Sequence, residues 1–368
     1  MLTIRKIIRC AALHIKIIKQ AMKNILAGLL LSAMSTLSAW LPGTALAQAK
    51  VYGILDEGLV GGFNRHIPAS DNDLRHNWYA GNGTGLRQNY TSRLGFEAFD
   101  DIGGGNKLEA RLEGTLDALH SFYFDRHATL GIYGAFGSLR FGRTRDLING
   151  IASRVDPFVN DGLVQDKILV AQTASTGLYR ISNSLTWSSP VMDGLQASVQ
   201  FGARQHSTDS NALKLLLTWD SDDWGLHAGV DMPGRQQQSN GYYMFGPRAR
   251  NYIAGALKDL GWARVSTEVL YSTRDMGAAD TDPAFARPNA SPWGWIGTAR
   301  IPVTGGEYKV VLVRSEQVFS KYGVWQPIEE IGGGYEHFLS QSTVLYLQLG
   351  HERRSGGGHW HAGVFKRF

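Results

Sequence analysis

The sequence predicts an all-β fold, a sixteen-stranded antiparallel transmembrane β-barrel with short periplasmic turns and long extracellular loops. Three observations predict it. Segments of about ten residues alternate in polarity. The connections between them alternate between short and long. The chain ends on an aromatic residue inside its last alternating segment.

Alternation with period 2 sends successive side chains to opposite faces of a strand. Leu94, Phe96 and Ala98 share one face, with Arg93, Gly95 and Glu97 on the other. After the turn-forming run Asp100 to Asn106, Leu108, Ala110 and Leu112 oppose Lys107, Glu109, Arg111 and Glu113. The pattern recurs with Ala197, Val199 and Phe201, and with Leu345, Leu347 and Leu349. Tyr179, Ile181, Leu185 and Trp187 form another apolar face, opposite Arg180, Ser182, Ser184 and Thr186. One segment is less clean, because Leu216 shares a face with Lys214 and Thr218.

Strands are expected near 51–59, 90–99, 107–117, 127–134, 138–145, 178–188, 195–203, 212–219, 224–231, 248–257, 262–273, 293–302, 307–318, 325–338, 343–352 and 359–368. Seven connections are short and eight are long, as in an up-and-down barrel. Trp187, Trp219, Trp224 and Trp262 flank short turns, whereas Trp293, Trp295, Trp325 and Trp360 lie near long loops. Two rims of an amphipathic ring suggest two bilayer interfaces.

Residues 1–47 read as a signal peptide and 48–368 as the barrel domain. Arg5, Lys6, Arg9, Lys16, Lys19 and Lys23 precede or flank an apolar run from Ile25 to Leu41, with no acid. Ala45-Leu46-Ala47 then offers an A-x-A cleavage site. The run carries Ser32, Ser35, Thr36 and Ser38, too short and polar for a span of ~20 apolar residues. Met22 is a second candidate start. Thirty-seven basic residues less the six of the leader leave thirty-one against thirty-two acids, a formal net charge of −1. The pI near 9.2 therefore belongs largely to the leader and gives no support for nucleic-acid binding. Cys10 also lies in the leader, which excludes a disulfide framework, cysteine zinc sites and a thiol nucleophile from the mature chain.

The end of the chain reads Gly363-Val364-Phe365-Lys366-Arg367-Phe368, where a soluble domain would usually fray into a polar tail. Further stretches are Tyr52-Gly53-Ile54-Leu55-Asp56, Ser92-Arg93-Leu94-Gly95-Phe96-Glu97, Phe136 to Arg143 and Arg180 to Trp187. In their order and spacing these resemble the Gram-negative general porins, particularly the β-proteobacterial and neisserial type. The resemblance covers essentially all of the mature chain. It implies a homotrimeric outer-membrane channel, open to passive diffusion of small hydrophilic solutes and ions, in contact with lipid and lipopolysaccharide. It also makes Phe368 the signal read by the barrel-assembly machinery. The third long loop, Asp146 to Gly177 here, would fold inward, and its Asp156-Pro157-Phe158 looks like the family's loop.

Carried over by position, the pore constriction would set Arg93, Arg126 and Arg180 on the wall against Asp156, Asp161 and Asp166 on the loop. Alternation turns Arg93 and Arg180 inward, but Ala128, Leu130 and Ile132 share the parity of Arg126. Related enterobacterial porins carry a lysine on the first strand where this chain has Ile54 or Asp56, which points to weak anion selectivity. The charged face of Lys107, Glu109, Arg111 and Glu113 reads as a wetted wall, and His351, His359 and His361 as a loose surface cluster rather than a metal site. No cofactor is expected. No G-x-S-x-G elbow or phosphate-binding loop stands in the right context, so an enzyme is not expected. A closed barrel acting as an adhesin or an enzyme is the alternative, but sixteen strands leave an aqueous lumen. The leader predicts a mature N-terminus at Gln48. N-terminal mass spectrometry of outer-membrane material checks this, and residues preceding Ala45 would refute it.

Overall fold

The computed structural model describes residues 48–63, 84–116, 122–158, 180–204, 211–233, 250–273, 293–319, 325–353 and 356–368. Its strands are β1 Gln48–Phe63, β2 Thr84–Arg87, β3 Arg93–Gly103, β4 Asn106–Leu116, β5 Phe122–Gly134 and β6 Gly137–Arg145. The short helix α1, Leu147–Ala152, follows. Then come β7 Arg180–Ser188, β8 Leu195–Gly202, β9 Ala212–Asp220, β10 Trp224–Met232, β11 Asn251–Asp259 and β12 Arg264–Ser272. The chain finishes with β13 Trp293–Val303, β14 Gly306–Phe319, β15 Trp325–Phe338, β16 Thr343–Glu352 and β17 Gly357–Arg367.

Sequential strands pair antiparallel from β3 to β17, and β1 pairs with β17 to close the sheet. Of the seventeen strands, β2 and β3 both pair with β1 and occupy one place in the wall, so the barrel has sixteen staves. The stave breaks at 88–92, and the Asp56 side chain on β1 repairs the break. Its two carboxylate oxygens accept from Asn89 N at 3.1 Å and Tyr90 N at 3.0 Å. Asp56 N in turn donates to Ser92 Oγ at 2.9 Å. The β3–β4 turn needs Gly103, Gly104 and Gly105, whose φ values of 83°, 63° and 76° lie where L side chains seldom go.

The burial pattern inverts that of a soluble sandwich. Along β16, Val344, Tyr346 and Gln348 are buried while Leu345, Leu347 and Leu349 are 42%, 46% and 56% exposed. Charged Glu109, Lys214, Glu268 and Lys309 are buried on the inner face, whereas Leu112, Leu130, Phe141 and Leu217 stand exposed outside. Only a lipid-facing exterior makes that arrangement favourable, since an outward charge near the bilayer midplane costs ~2–4 kcal/mol. Trp187, Trp219, Trp224 and Trp262 are all exposed beside short turns. Two of them bond turn carbonyls, Trp187 Nε1 to Phe136 O at 3.3 Å and Trp219 Nε1 to Asp193 O at 3.2 Å.

One expected face does not hold. Ile181 is buried while Leu185 and Trp187 are exposed, so they do not share a side. The ladder between β6 and β7 shifts register between Gly142 and Thr144, and Asn183 adopts φ 50° opposite it. An irregularity of this kind changes the phase of the alternation.

Closure extends to the last residue. Gly53 N donates to Phe368 O at 3.0 Å and Phe368 N to Gly53 O at 3.2 Å. The Phe368 ring lies where a Cβ on Gly53 would collide with it. Deleting Phe368 should therefore lower the yield of heat-modifiable barrel in outer-membrane fractions, and an unchanged yield would count against this role.

Candidate functional site: a basic cavity facing an anchored loop

The inner wall is divided between two surfaces. The first is a cavity of about 590 Å³ lined by Lys50, Arg93, Arg111, Arg126, Arg145, Arg180 and Arg367, with His127, Tyr52, Phe368 and a single acidic side chain, Glu113. The three arginines expected on the wall thus lie together. Arg93 opens β3 just past the break that Asp56 bridges, and Arg180 opens β7.

Arg126 reaches the inner face through a second irregularity. Between β4 and β5, Glu113 faces His127 but Thr115 faces Tyr123, so β5 carries extra residues there. The phase of Ala128 and Leu130 does not extend to Arg126, which is 8% exposed and donates from Nε to Glu113 Oε1 at 2.6 Å. Glu113 also accepts from Arg111 Nη2 at 2.9 Å and Tyr52 OH at 2.8 Å, and Arg111 Nε donates to Tyr52 OH at 2.8 Å. One carboxylate thereby orients two guanidinium groups. Buried Arg180 Nε has no hydrogen-bond partner among the described residues. Fixed cations concentrated in a water-filled constriction attract anions and repel cations, and low-dielectric walls strengthen the effect.

The second surface holds the loop that follows β6. Asp146 caps α1, its Oδ1 accepting from Ile148 N at 2.9 Å and Asn149 N at 3.2 Å. Its other oxygen meets Lys214 Nζ at 2.7 Å, and Lys214 also pairs with Asp231 on β10. Gln200 on β8 accepts from Leu147 N and donates to Arg145 O, each at 3.1 Å. Beyond this latch, Ile148, Ile151, Ala152, Val155 and Phe158 pack on inward apolar residues of the wall. These are Val60, Leu216, Ile253, Leu270, Ile296, Val311 and Val313. Leu216, the exception on its strand, belongs to this pad.

Asp156 does not line the basic cavity; its Oδ1 accepts from Phe158 N at 2.8 Å and shapes the loop itself. Asp161 and Asp166 lie outside the described residues. The three histidines do not form a surface cluster: His351 is exposed, but the other two are not. His359 and His361 are each 1% exposed on the inner face, with His359 Nε2 3.2 Å from Glu330 Oε1 and His361 Nε2 3.4 Å from Tyr346 OH. Inward parity on β17 explains this. Among the described residues no cluster of His, Cys, Asp or Glu could hold a metal ion.

Glu113 and Arg111 were legible only as members of a charged face, and nothing in the sequence distinguishes them from Lys107 or Glu109. The role of Lys214 was equally hidden, because its partners are 68 residues before and 17 after it.

Residues 32–357 match the family described as Gram-negative porin. The outer membrane porin protein 32 of Delftia acidovorans is 24% identical over 344 residues, covering 87% of this chain and 88% of that protein. The major outer membrane protein P.IA of Neisseria meningitidis serogroup C is 25% identical over 203 residues, half of this chain. Among solved structures, the anion-selective porin from Comamonas acidovorans superposes with a TM-score of 0.68 at 20% identity, covering 88% of this chain and all of that one. The Salmonella typhi OmpF complex with daunomycin gives 0.64 at 14% identity, covering 88% and 98%.

If Glu113 is the counter-charge of the cavity, Glu113→Gln should leave the barrel heat-modifiable and move the zero-current potential in a KCl gradient toward the anion side. A potential equal to that of the wild type in planar bilayers would show that Glu113 does not face the ion path.

Proposed function

The chain belongs to the Gram-negative porin family and is an outer-membrane channel, and we propose that it passes small hydrophilic solutes by passive diffusion with a weak preference for anions. The observation that carries this reading is the lining of the basic cavity, seven Lys and Arg side chains against one Glu. Arg93, Arg126 and Arg180 are the wall residues to which the selectivity is assigned. Glu113 holds two of the neighbouring guanidinium groups in ion pairs, which keeps the preference modest. An anion-selective porin of the same fold supports the sign.

The same reading includes export with cleavage after Ala47, recognition of Phe368 by the barrel-assembly machinery, and assembly as a homotrimer in lipid and lipopolysaccharide. The in-vitro folded OmpT of Vibrio cholerae, of the same fold, has a trimer form, which supports the last of these. The acids of the loop remain part of the proposal only through Asp161 and Asp166, since Asp156 is engaged with its own backbone.

Replacing Arg93 and Arg180 together by Ala should shift the zero-current potential in a KCl gradient toward the cation side without abolishing conductance. The shift should be larger at low salt, because the Debye length falls from ~10 Å at 0.1 M to ~3 Å at 1 M. A double variant matching the wild-type potential at low salt would remove both residues from the constriction.

A further inference from the structure

We propose that Phe158 anchors the inward loop to the wall, and that its seat on β13, β14 and β15 sets the cross-section left open to solutes. The inference rests on the channel reading above and adds the residue that fixes the size of the channel.

Inside an aqueous barrel the inner face should be polar, yet Ile296, Val311 and Val313 point inward from β13 and β14. Together they are an apolar seat that water covers poorly. Phe158 belongs to the same buried cluster and is 1% exposed. An aromatic ring removed from water onto apolar neighbours is held by the area it buries.

The surroundings of the ring are shaped for it. A Cβ on Gly334 of β15 would lie 3.2 Å from Phe158 Cε1, so a glycine there keeps the space open. Lys309 Nζ sits 5.7 Å from the ring centroid, on the side where a cation favours an aromatic face. Glu336 Oε1 holds that ammonium at 2.5 Å and also accepts from Tyr90 OH at 2.6 Å. The backbone is fixed independently. Asp156 Oδ1 accepts from Phe158 N at 2.8 Å, and Thr298 Oγ1 donates to Val155 O at 2.9 Å.

Among its described residues the loop is fastened by contacts of different chemistry, including an ion pair of Arg154 with Asp220. Its near end is ionic, through Asp146 and Lys214. Its far described end is apolar, through Phe158. Of the cavity's cations, none lies in the Phe158 seat; the ammonium there belongs to Lys309 and is paired with Glu336. The anchor is therefore placed to govern how much of the lumen the loop fills, and not the sign of the ion that passes.

The test uses the outer-membrane protein in planar bilayers and in liposome-swelling assays with arabinose and raffinose. Phe158→Ala should raise single-channel conductance and the uptake of raffinose relative to arabinose, while the zero-current potential in a KCl gradient stays at its wild-type value. Phe158→Leu, which keeps an apolar plug, should return both readouts toward wild type. Wild-type conductance and sugar ratio in Phe158→Ala would overturn the proposal. So would a potential shift as large as that of the Arg93/Arg180 double variant with an unchanged sugar ratio. If Phe158→Ala yields no folded barrel, Thr298→Val, which leaves the ring intact and removes one tether, must move conductance and sugar ratio in the same direction. Wild-type behaviour of Thr298→Val would then overturn the anchor. Absence of any conductance from the wild-type protein would instead overturn the channel reading.

Discussion

A bilayer offers no water to an unpaired backbone N–H or C=O, and each such group in hydrocarbon costs several kcal/mol. The sheet must therefore close, and closure rests on the ladder from Ile54 opposite Arg367 to Phe63 opposite Gly358. Phe368 and Gly53 add a reciprocal pair of hydrogen bonds at the end of that seam. The one stave broken beside it is repaired by a side chain: the Asp56 carboxylate takes the amides of Asn89 and Tyr90. Hydrogen bonds to a charged group contribute about 1.5–3 kcal/mol. A carboxylate is thus an effective patch where the backbone ladder lapses. That explains why the first strand carries an inward acid at Asp56.

Closure fixes which face meets lipid, and that choice explains most of the side-chain pattern. Apolar residues face out and charges face in, so charges must find partners across strands. Lys214 with Asp146 and Asp231, Arg126 and Arg111 with Glu113, and Lys309 with Glu336 are such groups. A buried charge stripped of its partner is strongly unfavourable, by about 3–5 kcal/mol. The pairs are accordingly positional devices: each holds a loop or a guanidinium group where the barrel wall alone would leave it mobile.

Sixteen staves were legible because period 2 and the rhythm of short and long connections are direct imprints of backbone geometry. Strand limits followed, with β15 and β16 at the same residues expected from the pattern. Local irregularities were not legible. Arg126 and Ile181 lie beside register shifts, and a bulge is a property of two paired strands that one strand's sequence does not reveal. The helix α1 has six residues, too few for a 3.6-residue period to appear, although Asp146 before Leu147-Ile148 is an ordinary N-cap signal. β2 is four residues beside β1 and carries no alternation of its own. The histidines on β17 show the reverse lesson: strict alternation from Phe365 places His361 and His359 inward, and a surface reading overlooked it.

The same alternation explains the division of the lumen. Most inner faces are polar, and Val60, Leu216, Ile253, Leu270, Ile296, Val311 and Val313 break that rule on β1, on β9 and on β11 to β14. A single inward apolar residue would be a minor blemish, but seven in one cluster make a surface that must be covered. The chain covers it with its own loop. The cationic side chains of the basic cavity lie on β1 and β3 to β7 with Arg367 on β17. Charge recognition and loop seating therefore draw largely on different strands, with β1 contributing to both, and they meet at the start of the loop, where Arg145 Nε bonds Asn149 Oδ1 at 2.8 Å. A barrel built this way varies its preference for charge and its preference for size by different residues.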